Sequence, residues 1–193
     1  LIYFTETHII IGIAVLVIVL IFLRRQKKDI SYLFFFTIFW IYLMSVVSVV
    51  AFPFPIGYSN PGFKPSVNLI PFDFGRCDFE ALCIRNLYEN ILLTVPFGFG
   101  IHFIARIRPK NILWLALAVG FAFETTQLLI SLITRNSFRV IDINDLILNA
   151  VGVLLGYGVF RVFGATYSFI VQKLQFQPRH IFAYIHDIVR HQN

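Results

Sequence analysis

Whatever chemistry this sequence holds rests on a few acids, amides and one arginine. Glu124 lies inside a long apolar run, and Gln127 follows three residues later, so both project from one face of a helix. Asp142, Asp145, Asn149, Gly152 and Gly156 follow at spacings of three, four, three and four, which is one stripe along a helix. Asn90 opens a further apolar run that leads to Pro96-Phe97-Gly98, and Arg139 stands three residues ahead of Asp142. A charge in hydrocarbon costs several kcal/mol unless it is paired or faces water, so such groups are functional candidates by default. Three chemistries fit the set. Acids, amides and an arginine can bind sugar hydroxyls and charged head groups. Glu124 can serve as general acid or base, with Asp142 or Asp145 as its water or metal partner. Glu124 can also relay protons for a transporter, though five helices without an inverted repeat fall short of a complete one. Against all three stands plain helix locking, because buried amides and acids also join helices through hydrogen bonds of about 0.6–2 kcal/mol each.

The elements that must position these groups follow from composition. The chain has 193 residues, 58% hydrophobic, 17% aromatic and 13% charged, with mean hydropathy +0.79. A soluble domain carries about a quarter charged residues, so water cannot be the solvent of most of this surface. Lipid fills that role. The net charge of +6 fits basic residues held on the cytoplasmic side. No basic run with interleaved aromatics lies outside the apolar segments, so nucleic acid is not an expected partner.

Five apolar segments stand out, at about 9–23, 30–52, 87–104, 112–132 and 146–163. Each must be helical, because lipid offers backbone amides no partner. The expected fold is therefore all-α, a polytopic bundle of about five transmembrane helices. The first segment has no cation ahead of it and no small-residue cleavage site after it, so it reads as a span rather than a signal peptide. Eleven Lys and Arg residues fall in the segments 24–28, 106–110 and 161 onward, against five in the opposite set. This bias places the N-terminus outside and the C-terminus in the cytoplasm. The domain expected is 1–163, followed by an amphipathic tail over 164–193, broken near Pro178 and lying on the cytoplasmic leaflet or packed on a partner. By depth, Asn90, Glu124 and Asn149 all fall in the outer half of the membrane, beneath Arg139, Asp142 and Asp145, as a polar cup that opens outward.

The outer loop of about 54–86 is long enough to be functional or locally structured. It holds both cysteines of the chain, Cys77 and Cys83, whose setting permits a disulfide worth about 2–3 kcal/mol, with two free thiols as the alternative. Two cysteines alone do not make a metal site, the five histidines are scattered at segment ends, and no metal or other cofactor is expected. No phosphate loop, HExxH, GxSxG or CxxC motif is present.

Four segments in order carry a resemblance: Val67-Asn68-Leu69-Ile70-Pro71-Phe72; Asn90-Ile91-Leu92-Leu93-Thr94-Val95-Pro96-Phe97-Gly98-Phe99; Glu124-x-x-Gln127; and Arg139-x-x-Asp142-x-x-Asp145-x-x-x-Asn149-x-x-Gly152-x-x-x-Gly156. Over about residues 30–163 the chain resembles the VanZ-like family, small bacterial membrane proteins named for a member associated with teicoplanin resistance. Ser66, Thr94 and Ala150 depart from the usual pattern, and the Cys77/Cys83 loop is an addition. The resemblance implies a bacterial plasma-membrane protein that influences glycopeptide action, with membrane lipids, a lipid-linked envelope precursor or a glycopeptide as partners. It carries over Asn68, Asn90, Glu124, Gln127, Arg139, Asp142, Asp145 and Asn149 as binding residues and brings no catalytic role with them.

Overall fold

The computed structural model describes residues 1–56, 62–73, 80–136 and 139–191, with the backbone alone at 80–84 and 86. The Cys77/Cys83 pair lies outside the described residues. Six helices carry the architecture: α1 (Glu6–Arg25), α2 (Ile30–Val50), α3 (Glu80–Gly100), α4 (Ile112–Thr134), α5 (Ile143–Lys173) and α6 (Ile181–His191). Four of them, α1, α2, α4 and α5, are long and apolar enough to cross a membrane. The segment expected at 87–104 is α3, which starts earlier and gives way to a tight 3-10 turn at Ile101–Phe103. Its outer turns are polar, with Arg85 and Glu89 paired on the exposed side at 2.5 Å.

Several helix ends close through a left-handed residue other than glycine. Lys27, Arg135 and Gln175 each take a left-handed conformation, with φ of 62°, 49° and 47°. Each lets a later amide reach back across the last turn: Lys28 N–H to Leu23 O, Asn136 N–H to Ser131 O, and Phe176 N–H to Val171 O. These closures satisfy carbonyls that a helix end would otherwise leave bare.

Packing is led by small residues. α5 lies along α3 on one flank and α4 on the other, while α2 touches α3 and α1 leans chiefly on α2. At the α3–α5 crossing, a Cβ on Gly98 would strike the Val153 backbone, one on Gly152 the Ile91 carbonyl and Thr94 hydroxyl, and one on Gly156 the Val95 carbonyl. The predicted role of Gly152 and Gly156, close approach of a neighbouring helix, is what the structure has. The innermost cluster is Ala116, Ala150 and Val153, with Phe97, Val119 and Leu154 around it. Large apolar side chains instead face outward: α1 buries only Gly12 and Leu16. That inverted distribution is the mark of a protein solvated by hydrocarbon.

The helices alternate between two ends. At one, Ile2 pairs with Phe54 in an isolated antiparallel bridge, and β1 (Val67–Asn68) pairs in parallel with β2 (Ile141–Asp142). The Val67↔Ile141 and Asn68↔Asp142 register was not foreseen, because two residues are too few to show alternation. At the other end, Tyr184 Oη donates to Phe103 O at 2.6 Å, and Arg106 meets Asp187 at 3.7 Å. The tail differs from expectation in one respect. α5 runs ten residues past 163, to Lys173, and α6 folds back onto it after a break at 174–180 that includes Pro178. Val189 is buried against Gly164, and Tyr167 Oη donates to Phe182 O at 2.7 Å.

Candidate functional site

The site forms where α5 begins. Asp142 is the N-cap of α5: its Oδ1 accepts the Asn144 N–H at 2.8 Å, which satisfies one of the bare amides of the first turn. The sequence placed Asp142 on the helical stripe, but an extended backbone, with φ −125° and ψ 124°, sets it just outside the helix. Its own N–H donates to Glu124 Oε2 at 3.0 Å, so Glu124 ties α4 to the start of α5. Asp145, one turn along, accepts from Asn90 Nδ2 at 2.7 Å and joins α3 to α5. Three helices therefore meet here through Asn90, Glu124, Asp142 and Asp145.

Asn68 and Asn144 fasten a loop over this junction. Asn68 Nδ2 donates to both Asp142 carboxylate oxygens at 3.2 Å and to Asp73 O at 2.9 Å, and its Oδ1 accepts the Ile70 N–H. Asn144 Nδ2 donates to Asp73 O and to Asp142 Oδ1, each at 2.9 Å, and its Oδ1 accepts the Phe72 N–H at 2.6 Å. Asn68 thus holds the loop rather than facing outward. Asn144 was not singled out from the sequence, though an Asp-x-Asn pair just before an apolar helix is a capping signal that could have marked it. Thr94, noted only as a departure from a family pattern, is fully buried and donates to Asn149 O at 2.8 Å.

Two buried acceptors remain. Glu124 is 6% exposed, and its Oε1 has no hydrogen-bond partner among the described residues; the same holds for Asn149 Oδ1 in a residue 2% exposed. Asn149 lies a turn deeper than Asp145, and its carbonyl is held by α3 through Thr94.

Arg139, three residues ahead of Asp142, bonds to the backbone of α2 instead. Its Nη2 donates to Val49 O at 2.7 Å and Phe52 O at 3.2 Å, closing the end of α2. Burial lowers its pKa below the ordinary guanidinium value, while Asp145 and Glu124 pull it back up, so it remains a cation in the field of both acids. With Gln127, Ser131, Ile130, Val50, Ala51 and Pro53 it lines a small, part-open crevice between the ends of α2 and α4. Glu124 stands one turn before Gln127 on the same helix face and is not itself among the lining residues. Among the described residues no three His, Cys, Asp or Glu side chains stand together as a metal requires.

A family model described as VanZ/LLP1 matches residues 39–164, which takes in every residue of the site from Asn68 to Asn149. No curated protein and no solved structure matches the chain. With well over half of its length matched, the chain belongs to the VanZ/LLP1 family.

Proposed function

We propose that this membrane protein binds the polar head of a cell-envelope amphiphile in the crevice beside Arg139 and Gln127, and thereby alters susceptibility to glycopeptides such as teicoplanin. In this reading the chain crosses a bacterial plasma membrane about five times, α3 included, with the site and the N-terminus outside and the C-terminus in the cytoplasm. The charge bias supports that orientation: eleven Lys and Arg fall in segments at the far end from the site and beyond, against five in those at its own end.

The observation that carries the reading is Glu124. A carboxylate oxygen buried without a donor is costly, and a ligand hydroxyl or amine is the group that would complete it. Arg139 uses only Nη2 on the α2 carbonyls, which leaves guanidinium donors for an anionic or hydroxylated head. Val50 and Ile130 supply the apolar wall that an acyl-bearing ligand needs. Size chooses among ligands. The crevice encloses room for little more than a water-sized group, so it takes at most a single polar group of a lipid or precursor rather than a whole glycopeptide.

Titration of lipid-linked envelope precursor and of teicoplanin into the protein in nanodiscs tests this. Saturable precursor binding that weakens in Glu124→Gln and Arg139→Gln, with folding retained, is the expected result. Absence of saturable binding by either ligand would sink the proposal. Glycopeptide susceptibility of cells with and without the protein reads the physiological half.

A further inference from the structure

The loop fastened over the junction has an outer face that the crevice does not use. Residues 69–72 read Leu-Ile-Pro-Phe, and Leu69, Ile70 and Phe72 are 70%, 63% and 75% exposed. Exposure at this level is common in a loose tip, but this segment is pinned. Asp73 N–H closes a turn on Ile70 O, Asn68 Oδ1 takes the Ile70 amide, Asn144 Oδ1 takes the Phe72 amide, and both asparagines hold Asp73 O. These bonds close within the loop and β1 or reach Asn144 in the first turn of α5, while Leu69, Ile70 and Phe72 are left exposed.

The turn itself shows the same preference. Pro71 and Phe72 are its central residues, and Phe72 has φ 64°. A turn with Pro at the first central position and positive φ at the second ordinarily places Gly or Asn there. A bulky aromatic at that backbone conformation is an outlier, and it presents an aromatic ring at the tip.

The surroundings identify what the ring meets. The segment hangs from Asp142 and Asn144, at one end of a helix long enough to cross a membrane. Val67 is exposed and pairs with Ile141, next to the exposed Val140, and exposed Leu132 and Ile133 close the apolar face of α4 at the same end. Exposed apolar residues thus stand at this one end on α4, in β1 and beside β2, and at the tip of the loop. No charged residue interrupts 65–72.

We propose that residues 69–72 form a fixed apolar finger seated among the acyl chains of the leaflet beside the polar site. The inference does not depend on which ligand the crevice takes; it requires only that α4 and α5 cross the membrane. The finger sets acyl chains beside the site, so an amphiphile that reaches it travels along the leaflet rather than from bulk water.

Photo-crosslinking in the full chain tests this. p-Benzoyl-phenylalanine replaces Phe72 in one preparation and lipid-facing Ile133 in a reference, both in nanodiscs of phosphatidylethanolamine and phosphatidylglycerol. The expected result is a phospholipid adduct at position 72 with a yield within a few-fold of the reference. A crosslink to a second copy of the chain, or no lipid adduct while the Ile133 reference reacts, overturns the proposal. Phe72→Trp in vesicles of brominated lipid provides a second measurement. Quenching beyond that of the parent, which carries Trp40 and Trp114, supports seating in the leaflet, and quenching equal to the parent's contradicts it.

Discussion

Replacing Asn144 by alanine should open the loop over the site while leaving the helices closed. Asn144 is 2% exposed and gives its side chain to three partners, Phe72 N–H, Asp73 O and Asp142 Oδ1. Asp73 O keeps its bond from Asn68, and Asp142 keeps the Asn144 backbone amide, so only the Phe72 amide loses all protein contact. A neutral hydrogen bond contributes about 0.5–1.5 kcal/mol net, and one to a charged acceptor about 1.5–3 kcal/mol. Water compensates part of this at an exposed loop, which leaves about 2–3 kcal/mol, or roughly a 30- to 140-fold larger open population. Amide hydrogen exchange reports that population directly. The Phe72 and Ile70 amides should exchange faster by about that factor, while those in the middle of α4 and α5 keep their rates. Unchanged exchange at Phe72 would refute the assigned role of Asn144, and equal acceleration through α4 and α5 would show that it supports the whole bundle instead.

Three further outcomes follow from the geometry. Gly156→Val forces a branched side chain onto the Val95 carbonyl and the Gly98 and Phe99 backbone, costing about 1–3 kcal/mol or more, whereas Gly158→Ala, with nothing within 4 Å, should gain up to about 1 kcal/mol of helix propensity; thermal unfolding in detergent separates the two. Phe72→Gly relieves a left-handed conformation that costs an ordinary residue about 1–2 kcal/mol, so it should leave thermal stability in detergent unchanged or slightly higher, and a fall of more than about 1 kcal/mol would mean the ring itself holds the loop. Burial, then Tyr32 and the Asp29 and Asp187 carboxylates, push Tyr184 from 10.0 up to about 12; the docked phenol is held neutral, so its contribution is complete below pH 10 and is lost as pH climbs to about 12. Proteolysis of α6 should therefore accelerate across that interval, and Tyr184→Phe should remove the dependence.

Most of the helical frame was legible because hydrocarbon leaves the backbone no alternative to intrahelical bonding. The 112–132 segment differs from α4 by two residues at one end, and the stripe from Asp145 to Gly156 faces its neighbours as its spacing requires. The meeting of Asn90, Glu124 and the α5 acids was legible for the same reason: polar groups deep in apolar helices must find each other. The loop network was not. Asn68 could be flagged by a motif, but its partner Asp142 is set by a two-residue parallel ladder across 74 positions of chain, and nothing local encodes that pairing. The acceptors of Arg139 were not legible either, since they are carbonyls of Val49 and Phe52, and backbone oxygens carry no residue signature. The long α5 was cut short at Phe163 because a mixed polar face looks like an ending, while the continuing helix is covered by α6.

The length of α5 has a mechanical consequence. Thirty-one residues make a rod of ~46 Å, against ~30 Å of hydrocarbon, so about a third of it stands clear of the acyl region. Its first turn carries the Asp142 junction, and its last turns carry α6 through Tyr167 and Gly164. A single unbroken lever thus spans the bilayer with a load at each end. Any tilt imposed where Glu124 grips one end sweeps the strapped helix at the other, with no intervening hinge to absorb the stroke.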